Sequence, residues 1–232
     1  LPDIQIDEPL LQLAMDDLNH LIGLGLVKSE VMELVKLVRF YRESGKDVLG
    51  KFSLHTVFSG NPGTGKTTVA RIFAQILKGL GILERGHLIE TDRQGLVAGY
   101  IGQTATKTQQ VINKALGGVL FIDEAYALSQ GGENDFGQEA VETLLKQMED
   151  RRGQFVVVVA GYTDKMKKFL EMNPGLSSRF DREMTFEDYS PVELFEIALS
   201  MLRNDGITPD AEAASHLRSY LESLHGSKDR FF

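Results

Sequence analysis

The octet Gly60-Asn61-Pro62-Gly63-Thr64-Gly65-Lys66-Thr67 has the residue types and spacing of a loop that cradles phosphate. Its glycines let the backbone bend so that successive N–H groups converge on anionic oxygens. Lys66 adds a point charge at the β- and γ-phosphates of a nucleotide, and the Thr67 hydroxyl is placed to ligate Mg²⁺. Thr68, on the same turn, joins the candidate nucleotide contacts. A second acidic element, Asp123-Glu124, closes the apolar run Val119-Leu120-Phe121-Ile122. An Asp there can hold Mg²⁺ through water, and a Glu directly after it can orient or deprotonate an attacking water. In isolation an Asp-Glu pair after a strand also reads as a helix-start cap. Its distance from the phosphate loop suits a βαβ unit, which favours ATP or GTP hydrolysis over passive binding.

The flanking patterns supply the elements that must position these groups. Leu54 to Ser59 reads as a buried strand and Thr67 to Leu80 as a helix, so the loop stands between strand and helix with phosphates expected at a helix N-terminus. Further strands are expected at His87 to Glu90, Val119 to Asp123, Phe155 to Ala160 and Glu183 to Phe186. The β-branched run before Gly161 suits a strand buried on both faces. At its end, Tyr162 and Thr163 are candidates to bond the γ-phosphate or attacking water; a turn capped by Thr163 or Asp164 is the alternative.

Helical stripes run through Leu10, Leu13, Ala14, Leu18 and Leu21, and through Val31, Leu34, Val35 and Val38, with Ile22-Gly23-Leu24-Gly25 breaking the chain between them. Helices are also expected at Thr106 to Leu116 and from a capping box at Asp135-Phe136-Gly137-Gln138 to Met148. From Pro191 only helical patterns remain. Five strands alternating with helices predict a doubly wound α/β core over residues 1–189, with a smaller helical unit over 190–232.

Composition narrows the function classes. A net charge of −8 argues against gripping nucleic acid by bulk electrostatics. Zero cysteines leave no disulfide framework or thiol chemistry, and the five His are too scattered for a metal site. No apolar run approaches the roughly 20 residues that span a bilayer, so no membrane partner is expected and the cytoplasm is the expected location. A first residue of Leu suggests a fragment or processed chain.

Two features exceed what a small-molecule kinase needs. Asn173 to Phe180 sets Arg179 on a turn far along the chain from the phosphate loop. A positioned arginine neutralises charge developing on a γ-phosphate and can be supplied in trans; a surface arginine is the plainer alternative. Gly99-Tyr100-Ile101-Gly102-Gln103-Thr104 combines a ring with flexible glycines, which suits either a mobile contact loop or a ring packed in the core.

Taken together, these residues resemble the AAA+ ATPases, and within them the CbbX/CfxQ and stage V sporulation protein K family. The resemblance runs along nearly the whole chain. It is carried by GNPGTGKTTVAR at Gly60 to Arg71, GHLIE at Gly86 to Glu90, Tyr100 to Thr104, GGVLFIDEAYAL at Gly117 to Leu128, the DFGQEAVETLLKQMED stretch ending at Asp150, Ala160-Gly161-Tyr162 and NPGLSSRF ending at Phe180. It implies an ATP- and Mg²⁺-dependent P-loop ATPase that assembles as a homo-oligomeric ring, a hexamer, and remodels a protein partner. It makes Gly60 to Thr67 Walker A, Asp123-Glu124 Walker B, and Arg179 a finger reaching the neighbouring subunit's ATP. Tyr100-Ile101-Gly102 become the pore loop, and Leu21, Ile22 and Gly23 line the adenine pocket. The strand end at Tyr162 departs from the Asn that many AAA+ proteins carry as sensor 1. The Gly-Asn-Ala-Arg stretch usual in the lid is not present before Phe232, which implies a truncated lid and weakened hydrolysis or assembly. A nucleotide-dependent scaffold that threads no substrate is the alternative function.

Overall fold

The computed structural model describes residues 5–44, 53–100, 102–130 and 136–225. Five strands among them form one parallel sheet: β1 Thr56–Gly60, β2 Leu88–Thr91, β3 Val119–Ile122, β4 Val156–Gly161 and β5 Arg182–Phe186, in the order β2-β3-β4-β1-β5. Parallel neighbours demand crossovers, and the intervening helices supply them. These are α3 Lys66–Gly79, the single turn α4 Arg93–Leu96, α5 Thr104–Ala115, α6 Gly137–Asp150, α7 Thr163–Glu171 and the single turn α8 Pro174–Ser177. Two helices, α1 Glu8–His20 and α2 Gly25–Glu43, precede the sheet, and α9 Pro191–Asn204 and α10 Ala211–His225 follow it. No described helix is long and apolar enough to cross a membrane.

Alternation along the strands divides the core into two layers. Phe58, Phe121 and Val158 point to the face covered by α1, α2 and α3, where they meet Leu18, Val31, Phe73 and Leu77. Val57, Leu120, Val157 and Val159 point to the other face, against Ile112, Leu144 and Phe169. Burial on both faces explains the unbroken apolar runs of β3 and β4.

The expected elements form with ends displaced by one or two residues, and some details differ. In α1 the buried stripe is Leu11, Ala14 and Leu18, while Leu13 is 60 % exposed. Close approach of α1 to α3 selects that stripe: a Cβ on Gly79 would stand 2.8 Å from the Leu11 backbone, so only glycine lets the two helices meet. The N-cap of α6 is Phe136, without a side-chain cap bond; Asp135 of the expected capping box lies outside the described residues. Where a loop was expected, α8 forms a single turn because the Asn173 side chain accepts from Gly175 N at 2.8 Å. The turn α4 and a 3₁₀ helix at Ala125–Ser129 were not anticipated from the sequence pattern.

Candidate nucleotide site

Local chemistry explains how β1 passes into the loop. Gly60 has φ 149°, and a Cβ there would stand 2.3 Å from the Phe186 carbonyl oxygen, so β5 lies too close for any side chain. Gly65 adopts a left-handed conformation at φ 91° and serves as the N-cap of α3. The N–H groups of the first turn of α3, with the positive end of its dipole, therefore face the loop. Space at Gly63 is open: nothing comes within 4 Å of where its Cβ would be.

Lys66 is buried and held from several sides. Its Nζ donates to the carbonyl oxygens of Gly60 at 2.9 Å and Asn61 at 2.6 Å, and to Thr64 Oγ1 at 3.4 Å. Burial pushes its ammonium below the ordinary lysine range, and the carboxylates of Asp123 and Asp188 oppose that shift. Thr64 is itself buried and donates to Asn61 O at 2.8 Å.

Asp123 stands one residue beyond β3, with its backbone N–H donating to Thr91 O at 2.9 Å. Its Oδ1 accepts from Glu124 N at 3.0 Å. Glu124 is exposed and left-handed at φ 47°, a conformation unfavourable for a non-glycine residue. Behind it lies Tyr126, whose phenol is pushed up to about 12 by burial, by a hydrogen bond with Glu124 and by neighbouring negative charge. Lys165 Nζ sits over both the Tyr126 and Tyr162 rings, 4.7 and 4.8 Å from their centroids.

One cavity of about 370 Å³ gathers Gly60, Pro62, Gly63, Gly65, Lys66, Thr67 and Thr68 with Asp123, Glu124, Gly161 and Tyr162. Thr67 and Asp123 share this cavity, the arrangement needed to hold Mg²⁺ with phosphate oxygens and waters completing its shell. Among the described residues no group of three or more His, Cys, Asp or Glu forms a separate metal centre. Tyr162 fits the strand-end position expected for it. Thr163 opens α7 instead; Tyr162 is its N-cap, and neither Thr163 nor Asp164 supplies the expected cap bond.

Other expected site residues lie apart. Asn61 turns its side chain out of the cavity, its Nδ2 donating to both carboxylate oxygens of Asp188 at 2.9 and 3.1 Å. Gly23 adjoins Tyr189 and Glu193, while Ile22 lines a second cavity of about 660 Å³ against α9. Tyr100 is 74 % exposed, which removes the core alternative; Gly102 beside it is left-handed at φ 77°, and Ile101 lies outside the described residues.

Arg179 lies at the opposite end of the strands from the phosphate loop, just before β5, the parallel neighbour of β1. Ser53, before β1, donates to its carbonyl at 2.5 Å, so Arg179 neighbours the start of the strand whose far end is Gly60. Its Nη2 donates to Glu149 at 3.1 Å and its Nη1 to Gly175 O at 3.3 Å. Nearby, the His55 ring accepts from Val157 N at 2.9 Å through Nδ1 and is lowered to about 4 by burial and by the charges of Arg179 and Arg152. Sequence reasoning missed Asp188 and Tyr189. The only signal was the Ser190-Pro191-Val192-Glu193 capping box that starts α9 directly after them.

Comparison with known proteins agrees with this architecture. Residues 56–188 match the model of the ATPase family associated with various cellular activities (AAA). The chain is 45 % identical over 210 residues to stage V sporulation protein K of Bacillus subtilis, covering 90 % of this chain and 65 % of that protein. It is 49 % identical over 208 residues to protein CbbX of Cereibacter sphaeroides, covering 88 % and 67 %. Over 228 residues it is 45 % identical to the chloroplastic ribulose bisphosphate carboxylase/oxygenase activase of Cyanidioschyzon merolae, covering 95 % and 78 %. The chain thus spans about two thirds or somewhat more of these curated relatives. The AAA domain of FIGL-1, solved in complex with ADP, superposes with a TM-score of 0.62 at 20 % identity over 88 % of this chain and 65 % of that one, a likeness of fold. Phosphate loop, acidic strand end, sheet order and relatives converge: the chain belongs to the AAA family of ATPases, in the group that includes stage V sporulation protein K and CbbX.

Proposed function

We propose that this chain binds ATP with Mg²⁺ and hydrolyses it in a ring of identical subunits, using the cycle to remodel a protein partner. The observation that carries the reading is the separation of Arg179 from Gly60. They lie at opposite ends of β1, and five residues at about 3.3 Å each set them roughly 15 Å apart or more. No arginine side chain closes that gap within one chain. A neighbour's Arg179, presented from the far end of its own strands, can complete the site.

In this reading the loop N–H groups and Lys66 bind the phosphates, while Thr67 and Asp123 hold Mg²⁺, which neutralises phosphate charge. Glu124 orients a water and takes its proton as the water oxygen bonds the γ-phosphorus. The bond from that phosphorus to the bridging oxygen breaks, and ADP departs with the electron pair. Tyr100, exposed beside a left-handed glycine, is assigned to grip the polypeptide partner. Residues 1–189 form the nucleotide-binding unit, with Ile22 and Gly23 toward the adenine, and residues from 190 onward belong to the lid. One relative's name describes it as an activase of an enzyme; a protein as partner of this chain is carried over from that likeness.

The test is ATP turnover against protein concentration, for wild type and for an equimolar mixture of Glu124→Gln with Arg179→Ala. Turnover rising steeply with concentration, and partly rescued in the mixture relative to either variant alone, is the expected result. Concentration-independent turnover with no rescue would mean that each chain completes its own site, and the ring reading would fall.

A further inference from the structure

The segment joining β5 to α9 touches the phosphate loop directly. Gly60 abuts the Phe186 carbonyl, and two residues later the Asp188 carboxylate accepts both bonds from Asn61 Nδ2. Tyr189 Oη then donates to Thr64 O at 3.3 Å and lies 3.2 Å from where a Gly65 Cβ would stand. The next residue, Ser190, caps α9: its side chain and backbone N–H bond the Glu193 carboxylate at 2.7 Å each. Glu193 and Tyr189 in turn press on Gly23, in the turn between α1 and α2. The stretch from Asp188 to Glu193 therefore joins the root of the lid, the phosphate loop and the α1–α2 turn.

Asn61 is the central link. Its carbonyl accepts from Lys66 Nζ at 2.6 Å while its side chain is fixed by Asp188. The Asp188 charge also bears on Lys66 directly, favouring the protonated form. A shift of Asp188 as α9 swings would move Asn61, and with it the carbonyl that anchors the ammonium.

We propose that Asp188 is a positioning residue: through Asn61 it transmits the position of the α9–α10 lid to Lys66 and so sets the affinity for the nucleotide phosphates. This rests on the nucleotide-binding reading above. Carboxylate and carboxamide form a charge-assisted pair, and groups joined in this way couple measurably when each is removed in turn.

The experiment is a double-mutant cycle of Asn61→Ala, Asp188→Ala and the double variant, in the full chain, read in two ways. The first is the affinity for a fluorescent ADP analogue; the second is the thermal midpoint without nucleotide. Loss of the Asp188 charge acts alike with or without the Asn61 side chain, so the cycle isolates the link between the side chains. The expected result is a ratio of about fivefold or more in affinity between the effect of Asp188→Ala in the wild-type background and its effect in the Asn61→Ala background. Coupling confined to the thermal midpoint would make the pair a structural brace, and multiplicative affinities would show no link; either overturns the proposal while nucleotide binding by wild type stands. Failure of wild type to bind the analogue would sink the nucleotide-binding reading itself, and the proposal with it. Should Asp188→Ala fail to fold, Asp188→Ser closes the same cycle.

Discussion

Gly60 and Phe186 meet backbone to backbone: the end of β1 leaves no room for a Cβ because the Phe186 carbonyl oxygen would stand 2.3 Å from it. The contact fixes where the phosphate loop departs from the sheet. It also brings the segment leading into α9 to the loop, since Asp188 and Tyr189 follow within three residues.

Gly60→Ala therefore forces β1 and β5 apart and strains a φ of 149°. A stability loss of more than about 2 kcal/mol is expected, together with loss of nucleotide binding. Urea midpoints against wild type check the first part. A stable Gly60→Ala chain that keeps its affinity would show that the loop tolerates a displaced β1 end.

Glu124→Gln removes the proposed proton acceptor while leaving the loop, Lys66 and Asp123 in place. Turnover is expected to fall by about 10²-fold or more, with ATP affinity within a few-fold of wild type. Rapid-quench turnover alongside equilibrium binding separates the two. Equal loss in both would assign Glu124 to binding rather than to the chemical step.

Stability should depend on pH through His55. Its folded value, about 4, lies below the ordinary 6.5, so the fold holds the ring neutral while the unfolded chain protonates first. The stabilisation is complete above about pH 6.5 and is lost progressively as pH falls from there toward 4. By linkage the loss reaches roughly 2 kcal/mol by about pH 5. Denaturation of wild type and His55→Ala at about pH 7.5, above that window, and about pH 5, within it, measures it: His55→Ala should lack this part of the slope, and an unchanged slope would reassign the effect to carboxylates.

Tyr100 is exposed, and its ring makes no packing contribution to either layer of the core. Tyr100→Ala should shift stability by less than about 0.5 kcal/mol and leave basal ATP turnover intact. Remodelling of a protein partner should fail, and pull-down of unfolded polypeptide by ATP-loaded Glu124→Gln protein should weaken with it. Unchanged capture would mean that the substrate is gripped elsewhere.

Much of the site was legible because it is built locally. A strand, the glycines Gly60, Gly63 and Gly65, and a helix N-terminus are written in consecutive positions, and their φ demands and apolar periods need no distant partner. The acidic strand end was legible for the same reason. In the stripe of α1, Ala14 and Leu18 are buried as expected, but Leu11 is buried and Leu13 exposed, because Leu10, Leu11 and Leu13 are equally apolar and only the close approach at Gly79 selects Leu11.

Residue type and spacing, then, determined the phosphate loop, the alternation of strands and helices, and the Asp123-Glu124 pair. Tertiary structure decided the strand order β2-β3-β4-β1-β5, and the parallel pairing of β5 with β1 sets Arg179 at the end of the strands away from its own loop and Asp188 against Asn61. Both outcomes depend on which strands pair and on how two helical layers fill the two faces of the sheet. That choice is made by the packing of many side chains at once, and no short run of residues encodes it.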